Sequence, residues 1–276
     1  MGQTYRERPP IPALAGFVSS TWVQDVPPEA DPYVHRSIPT GGAEIVCRSS
    51  LSIVGPSTGP RVETLAPGTT VVGLRLRPGV AGVLLGVPAS ELVDVTVDAA
   101  AVWGSAATRV ADAAGPEDAV AAVQAVVRER VAASAGVDPV VAEAVRRLMP
   151  GRTPDVRSLW SSLGLAERSF RRLCRSAIGL GPKTLHRMLR FQGFLALVQY
   201  ALARGRTPGE EGLARLAADA GYADQAHLTR ECVRLTGVTP RAFLRDVTRS
   251  CGHGHDHEVS FAPLAVLVKN GGPGRP

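Results

Sequence analysis

The 276-residue chain is predicted to be an α+β protein. Its front half reads as a small β-barrel or sandwich followed by helices. Its back half reads as an all-α domain with two helix-turn-helix units joined by a long helix. Three observations lead there. Short β-type segments with turn signals fill residues 1–80. The apolar spacing changes from strand-like to helical at Pro78-Gly79. A helix, a glycine turn and a second helix occur together twice in the back half, about 57 residues apart.

Apolar residues make up 45% of the chain and charged residues 20%, enough apolar material for a real core and too much for wholesale disorder. No apolar run approaches the ~18 residues of a membrane span. The opening MGQTYRERPP has no apolar stretch behind it, so no secretory leader is expected. Cys47, Cys174, Cys232 and Cys251 are far apart with no CxxC spacing, which argues against a disulfide scaffold and a zinc finger. A cytoplasmic protein with reduced thiols and no membrane contact is the expectation. The net charge of +6 conceals an asymmetry. Residues 151–249 hold 17 Arg/Lys against 8 Asp/Glu, whereas residues 1–150 hold 12 against 15. A basic back half joined to a mildly acidic front half suggests an anionic partner for the former.

Residues 17–24, 43–54 and 70–77 are rich in Val, Ile, Thr and aromatic side chains. Breakers separate them: Asp25-Val26-Pro27-Pro28, Pro39-Thr40-Gly41-Gly42 and Gly55-Pro56. Beyond Pro78-Gly79, the residues Val80, Val83, Leu84 and Val87 form one helical stripe, and Pro88-Ala89-Ser90-Glu91-Leu92 reads as a helix start. Residues 105–114 and 116–133 are helical candidates. A third helix begins where Asp138 can cap and Pro139 can take the first turn, and Met149-Pro150-Gly151 ends it. The expected divisions are 1–104, β-rich; 105–150, a helical linker or oligomerisation segment; 151–249, helical and basic; and 250–276, a His/Gly-containing tail.

The front half offers little catalytic chemistry. His35 is the only histidine before residue 186, so a cupin-type metal centre lacks its ligands. GxSxG, HExxH and P-loop patterns are missing. No catalytic residue, cofactor or metal is expected. Glu44 and Arg75 can be read as lining a pocket, but a surface or strand-edge role is the preferred reading. Cys47 reads as a buried, inert thiol.

In the back half, Val156, Leu159, Trp160 and Leu163 give one apolar helix face, and Gly164 stops it. The next helix buries Phe170, Leu173, Cys174 and Ala177 and ends at Gly179. Its other face carries Arg168, Arg171, Arg172 and Arg175 at helical spacing. Such crowded cations repel one another, and a polyanion removes that cost. The second unit repeats the pattern: Leu213, Leu216 and Ala217 inward, Gly221 as stop, Asp224 as cap, then a helix burying Leu228, Cys232 and Leu235. Gln225, Ala226, His227, Thr229, Arg230 and Arg234 face outward. Gln, Thr and Arg are residue types that reach base edges and phosphates. Between the units, Pro182 opens a helix running to about Ala203. Some 21 residues span roughly 30 Å, close to the ~34–36 Å turn of B-DNA.

Gly221-Tyr222-Ala223-Asp224-Gln225-Ala226-His227-Leu228-Thr229-Arg230, followed by Gly237-Val238-Thr239-Pro240, resembles the second helix-turn-helix of AraC/XylS-type transcription regulators. Gly164, Phe170-Arg171-Arg172-Leu173, Gly179, Pro182 and Arg190-Phe191 are similar to the first. In the front half, Arg77-Pro78-Gly79, Leu84-Leu85 and residues 88–92 resemble the regulatory region of some actinobacterial members. The resemblance implies a seven-helix DNA-binding domain behind a sensing or oligomerising domain. The DNA-binding set it suggests is Arg168, Ser169, Arg171, Arg172 and Arg175 in the first unit. In the second it is Gln225, Ala226, His227, Thr229 and Arg230. Double-stranded DNA is the expected partner, with a small-molecule effector, a second copy and RNA polymerase as further candidates. Ala166 stands where the family usually has a Ser cap, and Leu228 and Cys232 stand at positions that are often aromatic. The alternative is a DNA-repair alkyl acceptor carrying this type of DNA-binding module, which needs an activated cysteine. In the tail, Cys251 and the alternating His253, His255 and His257 can be drawn as a metal site, but an extension with adventitious affinity is the preferred reading.

Overall fold

The computed structural model describes residues 3–110, 115–150, 156, 158–205, 209–251, 255–256 and 259. The front half is built on β1 (Thr4–Arg8), β2 (Val18–Val26), β3 (Tyr33–Ser37), β4 (Glu44–Cys47), β5 (Leu51–Val54), β6 (Arg61–Leu65) and β7 (Thr69–Leu76). Then come α1 (Ala81–Leu85), β8 (Thr96–Asp98), α2 (Ala99–Trp103), α3 (Ser105–Thr108), α4 (Pro116–Ala132) and α5 (Pro139–Leu148). The back half holds α6 (Leu159–Ser162), α7 (Glu167–Ile178), α8 (Pro182–Leu202), α9 (Glu210–Asp219), α10 (Gln225–Thr236) and α11 (Pro240–Cys251). A two-residue strand, β9 (His255–Asp256), follows.

The α+β expectation holds, with three corrections of detail. The strands form an open seven-stranded sheet, ordered β8-β5-β4-β7-β2-β1-β9, and a separate β3–β6 ribbon. The sheet does not close into a barrel. Residues 43–54, read as one strand, are a hairpin, because the chain turns back between Cys47 and Leu51. The helix start at Pro88 is only a 3-10 turn, Ala89–Leu92.

The two faces of the sheet differ. Leu74, Leu76, Ile45, Ile53 and Leu51 are buried against Leu84 and Leu85 of α1, Trp103 of α2 and Val123, Val126 and Val127 of α4. The opposite face, fixed by cross-strand register, carries Tyr5, Glu7, Ser20, Trp22, Gln24, Gly73, Arg75 and Glu44. On this face Trp22 lies flat across Gly73, where a Cβ would sit 2.3 Å from the indole. Leu65 and Tyr33 of the ribbon pack there with Tyr5, Trp22, Val26 and Val71.

A second core joins the back half to α5. Val141, Ala144 and Leu148 are buried with Phe170, Ile178, Leu185, Phe191, Phe194 and Leu228. The α5 helix begins as its sequence specifies: the Asp138 carboxylate accepts the Val140 N–H at 2.7 Å and Pro139 takes the first turn. Its far end is tied to α8, where His186 Nδ1 lies 3.2 Å from the Leu148 carbonyl. No helix among the described residues is long and apolar enough to cross a membrane.

Candidate nucleic-acid interface

Both helix-turn-helix units take their shape from left-handed glycines. Gly164 and Gly221 turn the chain between helices at φ 70° and 78°. Gly179 and Gly237 end α7 and α10, their N–H groups donating to the carbonyls of Arg175 and Val233. A residue with a Cβ is strained at such φ, so glycine sets these four points.

On α7 the inward residues are Phe170, Cys174 and Ile178, all buried. Arg168, Ser169, Arg171, Arg172 and Arg175 are exposed. Arg171 pairs with Glu167 at 2.6 Å, one turn earlier. That pair is solvated on both sides and contributes only a few tenths of a kcal/mol. The helix starts at Ala166 with no side-chain cap.

On α10 the Asp224 carboxylate caps the helix by accepting the His227 N–H at 2.6 Å. Gln225, Ala226 and Arg230 are exposed. Thr229 is half-buried and its hydroxyl donates to the Gln225 carbonyl at 2.9 Å. His227 is also half-buried and turned toward the connector helix. Its ring meets Tyr222 edge-on at 5.2 Å, and its Nε2 lies 3.3 Å from Arg190 Nη2. The Arg190 guanidinium in turn lies over the Tyr222 ring, 4.5 Å from its centre. Sequence reasoning missed Glu231, which is buried and accepts from Arg187 of α8 at 2.7 Å. The signal was a carboxylate inside the apolar 228-232-235 stripe.

Both α7 and α10 rest their C-terminal ends on the front half. A Cβ on Gly82 of α1 would lie 2.6 Å from the Ser176 carbonyl oxygen of α7, and one on Gly179 would lie 2.8 Å from the Ala89 carbonyl oxygen. At the other unit, Arg36 of β3 donates from Nη1 to the Thr236 carbonyl at 2.7 Å. A guanidinium at a helix C-terminus is favoured by the free carbonyls and the dipole there. The connector helix is also held, since Gln192 donates to the Pro39 carbonyl at 2.9 Å.

The reading of Glu44 and Arg75 as surface or strand-edge groups is corrected. Their register opposes them on the inner sheet face, where Arg75 Nε donates to Glu44 at 2.8 Å and Nη1 to Glu7 at 3.0 Å. Tyr5 also donates to Glu7, at 2.7 Å. Burial alone lowers the Arg75 pKa, but Tyr5, Glu44 and Glu7 hold it well above its ordinary value. Burial pushes the Tyr5 hydroxyl up, and it pushes His35, on β3 of the ribbon, down. Ser20 Oγ and Trp22 Nε1 are buried on this face without hydrogen-bond partners.

The cysteines Cys47, Cys174 and Cys232 are buried, and burial raises the last two thiols to about 11. None of them is an activated nucleophile, which removes three of the four thiols from the alkyl-acceptor alternative. Cys251 Sγ, His253 and His257 lie outside the described side chains, and His255 lies on β9 beside β1.

Two recognition-type helices with cationic and amide-bearing faces on a shared core define a DNA-binding module. Residues 159–246 match a helix-turn-helix domain. Residues 6–98 match a domain of unknown function. No curated protein matches the chain. Among solved structures, the chain is similar to ToxT from Vibrio cholerae O395, at 8% identity and TM-score 0.44, covering 88% of this chain and 97% of that one. It is also similar to that protein bound to (E)-4-(8-methylnaphthalen-1-yl)but-3-enoic acid, at 11% identity, TM-score 0.42, and 88% and 97% coverage. Unsaturated fatty acid bound wild-type ToxT from strain SCE256 of Vibrio cholerae is a third, at 10% identity, TM-score 0.40, and 88% and 94% coverage.

Proposed function

We propose that the protein is a sequence-specific regulator of transcription that binds double-stranded DNA with α7 and α10 in successive major grooves. The observation that carries this is the shared placement of the two helices. Their C-terminal ends are held by the front half, while the N-terminal residues that would read bases stand exposed. Arg168, Ser169, Arg171, Arg172 and Arg175 form one contact surface, and Gln225, Ala226, Thr229 and Arg230 the other. Arginine supplies bidentate pairing to guanine or phosphate, and Gln225 pairs with adenine. His227 joins the second surface through whatever edge Arg190 leaves available. Phosphate contacts give affinity that falls with salt, and base contacts give specificity.

The front half is proposed to tune this binding in response to a small molecule. The β3–β6 ribbon supports the idea. Its inner side covers the buried Arg75–Glu44–Glu7 group with its unpartnered Ser20 and Trp22 atoms, and Arg36 of the same ribbon holds the end of α10. A ligand that moves the ribbon therefore moves the hold on α10.

Selection from a random duplex pool by the whole chain tests both parts. The expected motif has two halves about 10–10.5 base pairs apart. No enrichment refutes the DNA-binding reading. Arg36→Ala is expected to change affinity for the selected duplex without changing the preferred bases, and an identical binding curve refutes the coupling.

A further inference from the structure

The half-buried Arg190 is the least explained charge in the back half. It lies on α8, one turn beyond Arg187, and both arginines point at the second helix-turn-helix. Arg187 takes the Glu231 carboxylate. Arg190 has no carboxylate among the described residues. Its planar head covers the Tyr222 ring, and its Nη2 approaches His227 Nε2 at 3.3 Å. Tyr222 and His227 flank Asp224, the residue that caps α10. One guanidinium thus touches both sides of the turn that aims the helix.

We propose that Arg190 is a positioning residue for DNA readout by α10, and that it selects which edge of His227 faces the duplex. A guanidinium has donors and no acceptor. Nε2 must therefore accept, and the imidazole proton sits on Nδ1. His227 is left with one donor that Arg190 does not engage, Nδ1–H, suited to a guanine O6 or N7 or a phosphate oxygen. Stacking on Tyr222 fixes the plane of the guanidinium, a constraint that a flexible ammonium does not reproduce. The Arg187–Glu231 pair anchors the middle of the helix, and the Arg190 group anchors its start. Two anchors on one rod determine the direction of α10 relative to α7, which sets the half-site spacing the protein accepts.

The inference rests on the two-groove reading above, and the test separates the two. Duplexes carrying the selected motif are compared with versions in which one base pair is inserted between its halves, turning one half by about 35° relative to the other. Wild-type protein is expected to bind the inserted duplex about tenfold more weakly. Absence of that penalty in the wild type refutes the two-groove reading itself. Arg190→Met keeps the stem and removes the planar head. It is expected to cut the penalty to below about threefold while binding both duplexes measurably. Equal weakening on both duplexes, with the penalty intact, makes Arg190 a source of charge or stability only and overturns the proposal. A second arm leaves Arg190 in place. His227→Asn offers a donor near the Nδ1 position and is expected to lose less affinity for the selected duplex than His227→Gln, which offers it near Nε2 and falls with His227→Ala. The reverse ranking, or equal loss for all three, also overturns it.

Discussion

The helices α7 and α10 are each twelve residues long and end on left-handed glycines, yet their N-termini are fixed by different means. The first starts at an alanine with no side-chain cap and exposes four arginines, one tied loosely to Glu167. The second is capped by Asp224 and joined to the connector through Glu231, Tyr222 and His227. Its outward face is nearly uncharged at its start. Under the proposed function, these are two ways of building a DNA-reading surface. The α7 helix relies on charge, which acts at a distance and tolerates fraying. The α10 helix relies on placement, because an uncharged amide such as Gln225 discriminates only when held within hydrogen-bonding distance of its base.

The contrast breaks most sharply at Glu231. Glu231→Ala leaves Arg187 unpaired in a largely buried setting and is expected to lower unfolding stability by about 2–3 kcal/mol. Chemical denaturation of the whole chain measures it, and a loss under half a kcal/mol shows that the pair does not anchor α10. On α7, Arg172→Ala is expected to weaken binding to the selected duplex by about 1–3 kcal/mol if it reads a guanine. The thermal midpoint should hold, since the side chain is exposed. Salt-matched mobility shifts provide the measurement, and unchanged affinity removes Arg172 from the surface.

The caps sharpen the comparison at the next scale down. Asp224→Ala should cost about 1 kcal/mol, and Ala166→Ser should gain a similar or smaller amount by supplying the missing cap. Paired denaturation curves test both, and a neutral Asp224→Ala means that the Arg190 group alone fixes the turn. The smallest effect concerns pH. Burial lowers the pKa of His35 in the front half and His186 on α8. Both are held neutral in the fold, so the unfolded chain takes up protons first on acidification. Their stability contribution is present above pH ~6.5 and declines as pH falls below it. A denaturant midpoint that drops between pH 7.5 and 5.5, with less drop in His186→Gln, is the expected outcome, and a rise contradicts it.

Local chemistry was the most legible part of the sequence. Asp138-Pro139, Asp224, Gly164, Gly179, Gly221 and Gly237 each set a helix end through their own conformational preference, and each was found where expected. The strands were harder. Arg48-Ser49-Ser50 lacks glycine and proline, so the hairpin between β4 and β5 looked like one continuous strand. Tyr33–Ser37 and Arg61–Leu65 form a ribbon with Val34 and Val62 exposed, which erases the alternation that marks a half-buried strand. Arg75 meets Glu44 across 31 positions of chain, and only register brings them together. In the back half, the exposure of the four arginines of α7 was legible from spacing alone. The inward turn of His227 was not, because it lies at the boundary between helix faces and its neighbours, Tyr222 and Arg190, come from the preceding turn and from α8.

The hold of Arg36 on α10 is made to the Thr236 main-chain oxygen and not to a side chain. Every amino acid supplies that acceptor. Residues 225–230 can therefore be exchanged for ones that prefer other operators while the grip from the ribbon persists. In the proposed regulator, new target genes can be acquired without reinventing how the signal is sensed.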